Sequence, residues 1–213
     1  MNPLHSQHEI TAALKRHDYS AILDVVEPGA RVLDLGCGDG NLLYLLRQER
    51  QVKSYGIELD QDHVISCVGK GLSVFQGNVD EGLRDFEDKS FDYVILNQTL
   101  PVVYWPAYVF EEMLRVGEKC VISFPNFACW RIRLRLLFAG RMPVNDIIPY
   151  EWYNTPYIHQ LTIKDFIVLA RKLNCVFWEQ YYFSSLTGGV LKKSQRLRNW
   201  SAAYALFVVS GID

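Results

Sequence analysis

Asp34, Gly36, Gly38, Gly40 and Glu58 are the residues whose types and spacing most plainly prepare this chain for chemistry. In VLDLGCGDG, residues 32–40, apolar residues flank Asp34 and run into three alternating glycines, after which NLLYLLRQ resumes with helical leucine spacing. The string reads as a strand, a turn and a helix start. Glycine is needed there because the backbone must turn sharply without a Cβ and then let a ligand approach its N–H groups, at the positive end of the next helix. About twenty residues on, where an acid should hold a ribose, VKSYGIELD supplies Glu58. The pattern describes a site for a nucleotide-like ligand.

Spacing separates two cofactor classes. The dinucleotide fingerprint G-x-G-x-x-G needs a third glycine where this chain has Asn41, whereas G-x-G-x-G is met by Gly36, Gly38 and Gly40. With Asp34 before the turn, the string resembles motif I of the class I S-adenosylmethionine (SAM) dependent methyltransferases. That resemblance implies SAM or S-adenosylhomocysteine as ligand, its amino-acid end over the glycines and its ribose hydroxyls chelated by Glu58. It also implies an Asp after the third strand, accepting from the adenine amino group. Asn78 stands there instead, and its side-chain oxygen can accept the same bond without the added charge. Asp80, two residues later, is expected to cap a helix over EGLRDF.

The elements that must position these residues alternate. Apolar residues recur at helical spacing over 8–26, and Glu27-Pro28-Gly29 stops that N-terminal helix. VKSYGIE, LSVFQGN, FDYVILNQTL and EKCVISFPN read as strands, with QDHVISCVGKG and PAYVFEEMLRVG as intervening helices; NCVFWEQYYF and AAYALFVVS read as the last two strands. Such alternation implies an α/β fold. In the form the resemblance implies, it is a class I methyltransferase (Rossmann-like) three-layer sandwich. Its seven-stranded sheet is mostly parallel with an antiparallel last strand, preceded here by a basic link over 184–200.

The fourth strand ends at Asn97, Gln98 and Thr99, on the carboxyl edge where open α/β sheets bind ligands. Asn97 joins the expected cofactor-binding set. NQTLPVV lacks the Pro-Pro-aromatic signature of DNA and glutamine N-methyltransferases, and no Pro-Cys pair for pyrimidine C5 chemistry exists. A long excursion, 127–160, follows the fifth strand and is expected to form a lid or a partner surface. Its CWRIRLRLLFAGRMP is read as a helix stopped by Gly140 and Pro143, and it carries Arg131, Arg133, Arg135 and Arg141. A charge run of this size is usually a solvated face, but arginine beside Trp130 and large aliphatics is also interface composition. PYEWYNTPYIHQ should hang over the ligand edge. If methyl transfer occurs, Asn97, Gln98, Tyr150, Tyr153 and His159 are the expected acceptor pocket, with His159, Asn97 and Tyr153 the catalytic candidates. His159 could serve as a base; the reading preferred here is that it bonds local backbone, just before the capping-box pattern Thr162/Asp165.

Composition bounds the rest. With 213 residues, 49% hydrophobic and 22% charged, the chain reads as one globular domain, 1–213. A net charge of -2 gives no global attraction to nucleic acid. No apolar run approaches membrane-spanning length, MNPLHSQHEI is unlike a signal peptide, and five cysteines without a C-x-x-C pair fit reduced thiols, so a cytoplasmic protein is expected. Cys120 and Cys175 read as core, Cys37 as packing within the turn, and His5, His8 and His17 match no metal template.

FDYVILNQTL, LRVG, ISFPNFACWRIRLRLL, GRMP and PYEWYNTP together resemble the methionine-biosynthesis MetW family, over about 31–183. The resemblance implies a protein that works with homoserine O-acetyltransferase; it assigns no methyl acceptor and leaves a homodimer open. A SAM-binding accessory subunit and a free-standing methyltransferase on a small molecule or protein side chain are the two functions in competition.

Overall fold

The computed structural model describes residues 17–184 and 197–212. The elements run α1 His17–Val25, β1 Arg31–Leu35, α2 Asn41–Arg50, β2 Lys53–Glu58, α3 Gln61–Gly69, β3 Ser73–Gln76, β4 Phe91–Asn97, α4 Pro106–Val116, β5 Gly117–Pro125, α5 Trp130–Ala139, α6 Ile163–Lys172, β6 Val176–Ser184, α7 Arg198–Ser201 and β7 Ala202–Ser210. Seven strands form one sheet in the order β3-β2-β1-β4-β5-β7-β6. All neighbours pair parallel except β7, which is antiparallel to both β5 and β6.

Two-residue alternation along the strands splits the core into two layers. Val32, Tyr93, Ile95, Leu206 and Val208 face α1 and α2, while Leu33, Val94, Leu96 and Phe207 face α4 and α6. Aromatic rings fill the second layer: Phe166 lies 4.7 Å from Phe207 and 5.0 Å from Phe124, centroid to centroid. The order reverses at β1, with β2 and β3 added on one side and β4 on the other. That switch point opens a crevice outside the carboxyl ends of β1 and β4.

Local signals place the helix ends. Thr162 and Asp165 form a reciprocal capping box opening α6, and α5 stops at Gly140, left-handed at φ 60. Asn126, fully buried after β5, accepts from Ala128 and Ile163 N–H and donates to the Asn199 and Ala202 carbonyls. It ties the start of the excursion to α6 and β7. Phe127 N–H bonds the Leu161 carbonyl at 3.1 Å, so the excursion leaves and returns through one neck.

Three readings need correction or bounding. EGLRDF is not a helix: a 3-10 turn covers only Val79–Glu81 and its cap is Asn78. Asp80 instead accepts the backbone N–H of Trp105 at 2.8 Å. The groups a helix would pair internally are taken by α4, with Leu83 N–H bonded to Glu112 and the Leu83 and Phe86 carbonyls to Arg115. Cys120 is core as expected, but Cys175 is only partly buried. Residues 8–16 of the N-terminal helix, His5, and 185–196 of the basic link lie outside the described residues.

Candidate functional site

All three glycines of the turn are left-handed, with φ of 70, 56 and 77 for Gly36, Gly38 and Gly40. Their surroundings differ. A Cβ on Gly36 would strike the Thr99 side chain at 2.7 Å, and one on Gly40 would strike Leu72 and Cys67 at 2.6 and 2.7 Å. A Cβ on Gly38 would meet nothing within 4 Å. The outer two glycines are therefore needed for packing, and Gly38 alone fronts open space that another molecule can approach. Gly36 and Cys37 both donate to the Ile57 carbonyl, at 2.8 and 3.2 Å, which clamps the turn to the end of β2. Lys70 closes it from the far side, donating to the Asp39 carbonyl at 2.8 Å and to Asn41 Oδ1 at 2.6 Å.

Glu58, nearly buried, receives Gly38 N–H on Oε2 at 2.7 Å and Asp60 N–H on Oε1 at 2.9 Å. Each oxygen keeps a further lone pair for a ligand hydroxyl. Asp34, 2% exposed, has one carboxylate oxygen, Oδ1, with no hydrogen-bond partner. Burial, to which the Glu58 charge adds, pushes its carboxyl up to about 7. An orphaned buried acid beside an open glycine is an arrangement a cationic ligand group would complete. Cys37 and Cys67 lie beneath the turn, where burial raises both thiols and leaves them poor nucleophiles.

Asn78 borders a cavity of about 740 Å3 outside β3, together with Ile57, Phe75, Leu83 and Phe86. Its side-chain oxygen already accepts Asp80 N–H at 3.0 Å, with one lone pair left. Across the crevice, Asn97 accepts from the Ser123 hydroxyl and donates to Asp18 of α1 at 3.4 Å. Gln98 has φ 62, uncommon for a non-glycine residue, and is held there by N–H bonds to the Ser123 carbonyl and hydroxyl, both at 3.1 Å. Sequence reasoning missed Asp18 and Ser123. The available signals were slight: one hydroxyl inside the apolar run CVISFP and one acid early in a helix.

The expected acceptor residues separate in part. The backbone N–H of His159 donates to the Pro101 carbonyl at 3.0 Å and its Nε2 lies 3.4 Å from the Tyr104 carbonyl, which brings it to the exit of β4. Those contacts are to backbone some fifty-five residues away, not to its own neighbourhood. Tyr150 instead borders a small cavity of about 40 Å3 within the excursion, beside Phe127, Pro143 and Tyr157. Tyr153 is 70% exposed, packed edge-on against Trp152.

This sheet order is the class I SAM-methyltransferase-like, Rossmann-like fold. Solved structures agree in fold. A SAM-dependent methyltransferase from Archaeoglobus fulgidus superposes with a TM-score of 0.65 at 16% identity, covering 92% of each chain. One from Mesorhizobium loti gives 0.65 at 14%, over 90% of this chain and 97% of that one. The Haloferax volcanii complex of the Trm112 methyltransferase activator with a proposed methyltransferase gives 0.66 at 17%, over 96% and 93%. More specifically, the profile of the family described as methionine biosynthesis protein MetW matches residues 16–209, and the chain belongs to that family. A bifunctional methionine biosynthesis protein MetXA/MetW from Rhodopirellula baltica is 36% identical over 175 residues, 78% of this chain. The chain spans 28% of that relative's length. Among the described residues no helix is long and apolar enough to cross a membrane, and no cluster of metal-ligating side chains occurs.

Proposed function

We propose that this chain is a SAM-binding accessory or regulatory partner of homoserine O-acetyltransferase in methionine biosynthesis. The observation that carries the ligand is the open side of Gly38 set beside the orphaned Asp34 oxygen and the two-oxygen cradle of Glu58. Glu58 would accept the ribose hydroxyls on its remaining lone pairs. Asp34 would give a counter-charge to the cationic amino-acid end, and Asn78 would accept from the adenine amino group at the neighbouring cavity. SAM carries an activated methyl group and is also the pathway's downstream product. As a regulatory ligand it acts only if it favours one state of the complex over another.

Support for the partnership comes from the Rhodopirellula baltica relative, in which MetXA and MetW parts share one polypeptide. The contact on this side is assigned to the excursion, where α5 buries Ile132 of its inner face in a cluster with Ile147 and Ile148 and exposes its outer face. The test is to co-purify the two proteins, measure acyl transfer with and without SAM, and titrate SAM and S-adenosylhomocysteine calorimetrically. Association at micromolar concentration with SAM-dependent acyl transfer is expected. If the two never associate, or acyl transfer is indifferent to this chain, the accessory reading fails and a free-standing methyltransferase takes its place.

A further inference from the structure

Another cavity, about 470 Å3, lies between α6, β6 and α7, at the edge of the sheet opposite β3 and far from the glycine turn. That volume falls within the range of small-molecule pockets. Its chemistry is one-sided. Lys164, Arg171 and Arg198 border it, and no carboxylate is among its described lining residues, although the chain as a whole has a net charge of -2. The acids nearest in sequence are committed elsewhere: Asp165 to the capping box of α6 and Glu179 to the Tyr181 hydroxyl.

The spacing gives the cavity a shape. Lys164, Ile167 and Arg171 recur at i, i+3 and i+7, so one face of α6 presents cation, apolar residue and cation in a row. The two cations stand about 10 Å apart along the helix axis. Opposite them, Phe177, Gln180 and Tyr182 line the floor from β6, where a register shift between Phe177 and Glu179 breaks the strand alternation and lets Phe177 and Gln180 share a side. Arg198 is held 4.5 Å over the Tyr182 ring, a cation–π contact that keeps its charge at the rim. The Tyr182 hydroxyl donates to Gln180 Oε1 at 2.7 Å, which directs the amide N–H groups of Gln180 away from it. Asn199 also lines the cavity.

From this juxtaposition we propose that the cavity binds a small amphiphilic anion, with carboxylate, sulfonate or phosphate-ester groups for Lys164 and Arg171 and an apolar body against Ile167 and Phe177. The site is independent of the SAM reading.

The probe is 8-anilinonaphthalene-1-sulfonate, whose fluorescence reports an anion on an apolar body. Saturable binding to the full chain is expected, undisturbed by saturating S-adenosylhomocysteine. The Lys164→Ala/Arg171→Ala protein should bind at least tenfold more weakly with an unchanged melting temperature, since both side chains are exposed. Lys164→Gln/Arg171→Gln, which keeps the aliphatic stems, should lose as much and so separate charge from packing. The uncharged N-phenyl-1-naphthylamine should bind poorly to all of them. Equal dye binding by native and doubly substituted protein, or equally tight binding of the uncharged analogue, would overturn the anion site. An acidic hexapeptide that competes with the dye and binds more tightly would overturn the small-molecule class in favour of a protein partner.

Discussion

The glycine-turn edge and the excursion are both built around buried apolar residues, yet they finish in opposite ways. At the turn the chain covers itself in part: Thr99 fills the space over Gly36, Leu72 and Cys67 that over Gly40, while the space over Gly38 is open and one Asp34 oxygen is unpaired. The excursion packs its inner side on Cys129, Ile132, Ile147 and Ile148 and pins it with the Arg131–Asp146 ion pair. Its outer side is left bare, with Phe138 82% and Leu137 73% exposed. The difference teaches where each region expects its partner. A small gap beside an unpaired buried carboxylate oxygen suits a small ligand, whereas exposed apolar area suits another chain.

The largest effect should come from the turn. Glu58→Ala removes both oxygens that would meet the ribose and should weaken SAM binding by on the order of 2 to 4 kcal/mol in calorimetry. Unchanged titrations in folded protein would take the ligand away from this edge and erase the contrast with the excursion. Within the turn the glycines should divide by role. Gly40→Ala forces a left-handed conformation and a clash with Leu72 and Cys67, and should cost roughly 2 to 4 kcal/mol in urea denaturation. Gly38→Ala meets open space, so only about 1 kcal/mol of backbone strain is expected, with the larger loss appearing in SAM affinity.

Asp34 sharpens the same point through pH. Its folded carboxyl sits at about 7, above the ordinary aspartate value of about 3.9. Between these values the native state holds a proton that the unfolded state has released. The contribution of Asp34 to the stability of the ligand-free protein therefore falls as pH rises from about 4 to about 7 and then levels. Asp34→Asn should remove that contribution and be more stable than the native protein at pH 8, by on the order of 1 to 4 kcal/mol. Urea midpoints at pH 5 and pH 8 decide it; parallel pH dependence in the two proteins would mean that Asp34 is ionised throughout.

What could be read in advance follows from range. The turn, the strands and the capping box at Thr162 are written in contiguous residues, because alternation, glycine spacing and capping chemistry are local properties. The fold class followed from their order. EGLRDF was misread because its fate is decided by Glu112 and Arg115, which seize its backbone groups from 29 to 32 residues away, and by Gly82, whose φ of 86 with ψ of -179 suits glycine alone. The Asp18–Asn97–Ser123 chain joins residues 79 and 26 apart, and no periodicity announces such a meeting. Tyr150 was expected beside Asn97, yet loop residues take the packing their own aromatics offer, here Tyr157 at 5.7 Å.

The smallest effect on folding should come from the outer face of α5, and it breaks the comparison if it does not. Leu137 and Phe138 lie on that face with little to pack against, so replacing both by Ser should shift folding stability by no more than about 0.5 kcal/mol each. Arg135→Glu, also on an exposed position, should be as mild. Arg133 is a poorer choice, because its guanidinium bonds the Ala128 carbonyl at 2.6 Å and lies over Trp200, so its loss would disturb the excursion itself. If the bare face is where another chain docks, the Leu137→Ser/Phe138→Ser protein should keep its SAM titration and melting temperature while losing tenfold or more in association with homoserine O-acetyltransferase, read by analytical ultracentrifugation. Truncating exposed apolar anchors removes area that is buried only in the complex, which is why association and folding should separate. A matching drop in melting temperature would mean that the chain covers this face itself, and the excursion would then be finished in the same way as the turn.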